Sequence, residues 1–190
     1  MTPIFHFTTE YFPCIASFSE LLFHDLVVIQ SVEHYQKNSL RNRCYLTGSQ
    51  GKYLLSVPLV KGKNQQQKIR DVRISYDFAW ADIHLKTITN NYIKSPFFNH
   101  FYPGIVQILM KKEKFLLDLN WEILSFLLSA YASKKNIVYS LEFQNQIKPA
   151  HLPPLFKPYP QLFESKTGFI PDLSILDLLF CMGPTRKYFY

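Results

Sequence analysis

The run "HYQKNSLRNRC", residues 34–44, places His34, Lys37, Arg41 and Arg43 within ten residues. In a loop these side chains can converge on one oxyanion: the ammonium supplies a point charge, and each guanidinium supplies a planar fork matched to phosphate or carboxylate. Tyr35 and Asn42 add neutral donors. If Arg41 and Arg43 lie on a strand, they share one face and Asn42 takes the other. An ordinary charged surface fits the same residue types, with Lys37 and Arg41 solvated and Arg43 paired to a core carboxylate.

The second chemical candidate is His84, on an otherwise apolar helical stripe. A lone histidine there is either a satisfied core residue or a general base, since imidazole titrates near neutrality. Cys44 flanks the basic run. A nearby cation would lower its pKa, whereas the plainer role is a small buried strand residue. Lys68, Arg70 and Arg73 in "KIRDVR" read as a charged strand face.

Other chemistries find little support. The six histidines are scattered, with no HxH or HxxxH, and Cys14, Cys44 and Cys181 form no CxxC, so no metal site is indicated. The six glycines supply neither a phosphate loop nor a dinucleotide fingerprint, and no cofactor is expected. The +7 net charge favours anionic partners. Single-stranded nucleic acid is one alternative, because 16% of residues are aromatic and offer stacking surfaces. Against it, the basic residues are not gathered on one predicted helix. The most apolar stretch, "FLLDLNWEILSFLLSAY", is too short and too interrupted by Asp118, Asn120 and Glu122 to span a bilayer. The N-terminal residues do not read as a signal peptide, and the cysteine usage suits a reducing cytoplasm.

The elements that would position these groups follow from periodicity. "IASFSELLF" reads as a short helix and "LVVIQSV" as a buried strand. "RCYLTGSQGKYLLSVPLV" reads as a hairpin turning at Gly48–Gly51, and "KGKNQQQ" as a loop. "KIRDVRIS" alternates like a half-buried strand. A helix carries Trp80, Ile83, His84, Thr87, Ile88 and Asn91 on one stripe, and a second starts near Pro103. A third helix runs through "KFLLDLNWEILSFLLSAYA", and "NIVYSLEFQ" is a further strand. The five prolines between Lys148 and Pro160 require an extended connector. Ser174 and Asp177 have the spacing of a capping box before the helix "ILDLLFCM". The expected architecture is one mixed α/β domain over residues 1–190, with a small mixed sheet around the 43–60 hairpin and helices packed on it.

Several segments together resemble the WbqC-like protein family. "YFPCIASFSELL" is similar to its opening Tyr-Leu-Pro and helix, and "HYQKNSLRNRC" to its Tyr-x-Lys-x-x-x-Arg-Asn-Arg core. "LLSVPLVKG" resembles its hairpin return and "KIRDVRI" the strand after it. "WADIHLKTITNNYIKSPFF" resembles its Trp-x-x-x-His helix, and "IPDLSILDLLFCMGP" its closing motif. The likeness runs nearly the whole chain in order. It departs where the interval before the closing motif is short and proline-rich, and where Cys181 replaces the usual Asn.

The resemblance implies a cytoplasmic protein associated with building surface polysaccharides that contain modified amino sugars. It implies a sugar nucleotide as ligand and adds weight to His84. On that basis the expectation is a transferase acting on a nucleotide-linked amino sugar. Arg41 and Arg43 would hold the diphosphate, with Lys37 assisting and His34 beside them. His84 would take the acceptor's proton. Tyr35, Asn42 and Tyr92 would orient the sugar, and Phe97 and Phe98 would wall the pocket. A non-catalytic binding or accessory protein for an anionic ligand is the alternative. The residues fix neither donor, acceptor nor oligomeric state.

Overall fold

The computed structural model describes residues 5–62, 64–140 and 157–189. In chain order the elements are β1 (Phe5–Phe7), α1 (Ile15–Phe23), β2 (Leu26–Ile29), β3 (Arg43–Gly48), β4 (Gly51–Ser56), α2 (Trp80–Tyr92), α3 (Phe98–Met110), α4 (Leu116–Ala130), β5 (Asn136–Tyr139), α5 (Glu164–Thr167) and α6 (Ile175–Met182). This is the expected mixed α/β class, but the strands divide into two sheets. β2 is the centre of a parallel sheet of order β1-β2-β5, in which Phe7 faces Ile29 and Ile29 faces Tyr139. Parallel neighbours need a crossover, and α1 supplies it between β1 and β2. β1 has only three residues, too few to show a period. β3 and β4 form a separate antiparallel hairpin, paired from Arg43–Ser56 to Gly48–Gly51. Gly51 turns it at φ 100°, a backbone region that favours glycine.

The "KIRDVRIS" run departs from the expected strand. It forms a 3-10 turn at Ile69–Asp71, with isolated bridges Leu59–Ile74 and Arg73–Phe115 on its far side. Strand alternation would send Ile69 to the face opposite Val72. The tighter turn eclipses residues three apart, so both go inward, and both are fully buried. In α2 the buried residues are Trp80, Ala81, His84, Leu85, Ile88 and Tyr92, while Ile83 is 54% exposed. α3 begins at Phe98, before the expected start, and carries Pro103 inside it. The connector is described only from residue 157 onward, and its earlier part lies outside the described residues. Among the described residues, no helix is long and apolar enough to cross a membrane.

α6 is buried from Ile175 through Cys181, as suits a helix apolar on nearly every side. Ser174 caps it, its hydroxyl accepting from Leu176 N at 3.2 Å. The capping box does not close, because the Ser174 N–H donates to Tyr45 O and Asp177 turns elsewhere. The Asp177 carboxylate, 0% exposed, accepts from the Tyr92 hydroxyl at 2.6 Å and the Tyr159 hydroxyl at 2.5 Å. Burial raises its pKa, and the two hydroxyls pull it back. The Tyr92 oxygen also accepts from Thr47 N at 3.1 Å. One carboxylate thus ties α2, β3, α6 and the chain near Tyr159 together.

Tyr92→Phe and Tyr159→Phe are each expected to cost about 1–3 kcal/mol in urea denaturation, because each leaves a buried acceptor short of a donor. The double variant should cost less than the sum, since both act on one carboxylate. Strict additivity would show that Asp177 does not couple them.

Candidate functional site

The chain leaves β2 and enters the basic run through Gln30–Glu33, all buried. Asn38 sits at φ 59°, a left-handed conformation that asparagine tolerates. Ser39 then caps a 3-10 turn, Leu40–Asn42, that delivers the chain to β3. These turns set the fates of the three polar residues that follow.

Arg41 points inward. Its Nε donates to Glu33 Oε1 at 3.0 Å and its Nη2 to Glu33 Oε2 at 2.7 Å, both side chains being 7% exposed. Nη1 reaches Gln36 Oε1 at 3.4 Å, and the Arg41 carbonyl accepts from Asn120 Nδ2 of α4 at 2.8 Å. Its fork is therefore occupied by a carboxylate of this chain, an arrangement neither sequence reading contained. Asn42 is also committed: its Oδ1 accepts from the Tyr35 hydroxyl at 2.9 Å and its Nδ2 donates to Val57 O at 2.8 Å. Arg43 opens β3 opposite Ser56. Its Nε is buried with no hydrogen-bond partner among the described residues.

A pocket of about 300 Å³ lies over this arrangement. Tyr35, Lys37, Asn42 and Arg43 line it from the basic run, Ser56 from the end of β4, and Asn64 from the loop beyond. No Asp, Glu, His or Cys is among the described lining residues. Burial raises the Tyr35 pKa, and the charges of Arg43 and Arg41 oppose that rise. Four of the expected binding residues thus meet at one cavity. His34 is exposed beside it and not among the lining residues; its backbone bridges to Lys68.

The other expected residues lie elsewhere. His84 is buried on α2, with Nδ1 2.8 Å from the Tyr11 hydroxyl and the Trp80 ring edge-on to it. The Ser56 backbone interacts with the ring and favours its charged form. Burial pulls its pKa down to about 4, with the Ser56 contact opposing, so the ring is neutral at pH 7. Nδ1 then accepts from Tyr11, which leaves the N–H at Nε2 for the Ser56 carbonyl. His84 braces the strand end whose Ser56 lines the pocket. Tyr92 and Phe98 are buried against Phe180 of α6, and Phe97 packs over Gly183. None of these three is among the pocket's lining residues. The Cys44 thiol is fully enclosed, and burial raises its pKa, so it fills the role of a small core residue. Among the described residues, no three His, Cys, Asp or Glu side chains gather as a metal site would require.

Glu33 is the partner that residue spacing did not reveal. It stands just outside the basic run, and only the reversal of chain direction at Asn38–Ser39 brings it under Arg41.

The family model that matches this chain is the WbqC-like protein family, over residues 9–152. No curated protein and no solved structure matches it.

Two outcomes test this geometry. Arg41→Ala should lower stability by about 3–5 kcal/mol in denaturant titration, because Glu33 would be left as a buried, unpaired charge. A loss below about 1 kcal/mol would mean that water reaches the pair. His84 supplies the second. Its folded pKa of about 4 lies below the ordinary 6.5, so between those values the unfolded chain binds more protons. Stability should fall as pH drops from about 6.5 to about 4, by an amount on the order of 3 kcal/mol. Glu10 and Asp177 have raised pKa values and act with the opposite sign. The comparison is therefore wild type against His84→Gln, and the slope of the difference isolates the imidazole.

Proposed function

The chain belongs to the WbqC-like protein family, and on that premise we propose that it binds a nucleotide-linked sugar through its diphosphate, as a non-catalytic protein of surface-polysaccharide assembly. The observation that carries this reading is the half-buried Arg43 at the wall of a cavity that also holds Lys37 and has no acidic residue among its described lining. A guanidinium with no carboxylate beside it among the described lining residues offers an oxyanion charge-assisted hydrogen bonds. Lys37, exposed on the same wall, adds charge without a fixed geometry.

The size of the cavity limits what enters. At about 300 Å³ it stands at the small end of ligand pockets and suits a diphosphate with an adjoining ring. The rest of a sugar nucleotide would extend beyond it. Transferase chemistry needs a base within hydrogen-bond reach of the acceptor. His84 is buried with Nδ1 on the Tyr11 hydroxyl and is not among the pocket's lining residues. That favours binding over turnover.

The test is a melting series with UDP-N-acetylglucosamine, inorganic pyrophosphate and a single-stranded oligonucleotide. A ligand at a hundred times its Kd stabilises by about 2.7 kcal/mol, roughly 5–10 °C for a chain of this size. UDP-N-acetylglucosamine and pyrophosphate should raise the midpoint. Arg43→Ala and Lys37→Ala should each shrink that rise, and added salt should shrink it too. Stabilisation by the oligonucleotide alone, or an unchanged shift in Arg43→Ala, would refute the reading. Release of nucleotide product during incubation would restore the transferase.

A further inference from the structure

We propose that a cleft between the C-terminal end of α2 and the segment around α5 is a second ligand site, separate from the anion pocket, for a small organic anion built on a single apolar ring. The cleft encloses about 270 Å³. Asn91, Ile93 and Lys94 form one wall, and Leu162, Phe163 and Lys166 form the other. Neither Tyr35, Lys37 nor Arg43 reaches it, so its occupancy does not depend on the pocket over β3.

Three features define the ligand. The first is charge. Lys94 and Lys166 are both exposed, come from opposite walls, and make no ion pair among the described residues. No Asp or Glu is among the described lining residues. The nearest carboxylate along the chain, Glu164, turns back to the Gln161 N–H at 3.3 Å. Two unneutralised cations bordering one cleft repel each other, and an anion between them removes that cost. The second feature is the apolar surface. Ile93 is 54% exposed and stands across from Leu162 and Phe163. A ring placed between them removes apolar area from water. The third is size. A site of about 270 Å³ encloses one ring and its charged group.

The site is built before any ligand arrives. The Gln161 side chain grips the Ile170 backbone twice, Nε2 to O and N–H to Oε1, each at 2.8 Å. Gln161 Nε2 also donates to the Tyr159 hydroxyl at 3.3 Å, which joins this wall to the Asp177 network. On the facing wall Asn91 Nδ2 donates to Thr87 O at 2.8 Å. A preformed cleft loses little freedom on binding.

The experiment is a solution NMR titration of the isotope-labelled full chain with phenyl phosphate, inorganic phosphate and phenol. Phenyl phosphate should shift the resonances of Ile93, Lys94, Phe163 and Lys166 and bind at least about tenfold more tightly than either fragment, since each part contributes on the order of 1.4 kcal/mol. The double variant Lys94→Ala/Lys166→Ala should weaken it by about tenfold or more. Ile93→Ser should weaken phenyl phosphate while leaving inorganic phosphate unchanged at this cleft, and Arg43→Ala should leave the shifts of Ile93, Lys94, Phe163 and Lys166 unaltered. Ile93, Lys94 and Lys166 are exposed, so their variants are expected to fold. The proposal is overturned if phenyl phosphate binds no more tightly than inorganic phosphate, if the double lysine variant binds normally, or if Arg43→Ala abolishes the shifts. The last result would transfer the binding to the anion pocket.

Discussion

The buried ion pair between Glu33 and Arg41 is the constraint on which the site's shape depends. Taking a carboxylate and a guanidinium out of water costs several kcal/mol per ion, and only good geometry with further hydrogen bonds repays it. Here the fork is bidentate, at 3.0 and 2.7 Å, with Gln36 near a third nitrogen. An apolar pair of equal volume could stabilise the fold as well. It would not fix the register of the residues between Glu33 and Arg41, which must turn back so that one end pairs with the other. That turn places Tyr35 and Lys37 beside Arg43 and sets where β3 begins.

Two arginines separated by one residue consequently do different work. Arg41 belongs to the turn before β3 and faces the interior, with its charge neutralised by Glu33. Arg43 belongs to the strand, opposite Ser56, and makes no ion pair among the described residues. Asn42, between them, bonds Tyr35 on one side and Val57 on the other, holding the pocket's floor to the end of β4. His84 secures the same strand end from behind through Ser56. A locally encoded run and a residue from a distant helix thus act on one strip of backbone.

What was readable in the sequence followed the range of the interaction. α1, α4, α6 and the hairpin could be read because each satisfies its own periodicity, and Ser174 announced the start of α6. "KIRDVRIS" misled because Ile69 and Val72 bury on one side only through a 3-10 turn, a geometry that a two-residue period does not describe. Asp177 had the spacing of a cap, yet its partners are tyrosines 85 and 18 residues away in sequence. The pocket residues Tyr35, Lys37, Asn42 and Arg43 were visible as a local cluster. Glu33 was not, because an acid beside a basic run reads equally well as solvated. Tyr92, Phe97 and Phe98 were grouped with them through the family resemblance, whereas packing on α6 takes them to another part of the molecule.

The chain's basic character also looks different once the pairs are placed. A +7 net charge spread in small groups says little about where an anion would sit. Neutralising Arg41 internally removes one cation from the local field, but it lets the other be held in a partly buried place where its field is less screened. An exposed lysine such as Lys37 contributes charge at a distance and loses much of it to salt. A half-buried guanidinium contributes direction, because its planar fork of N–H donors is held in place. The cationic character of the pocket wall therefore resides in Arg43 and in the turn that presents it, more than in the overall charge of the protein.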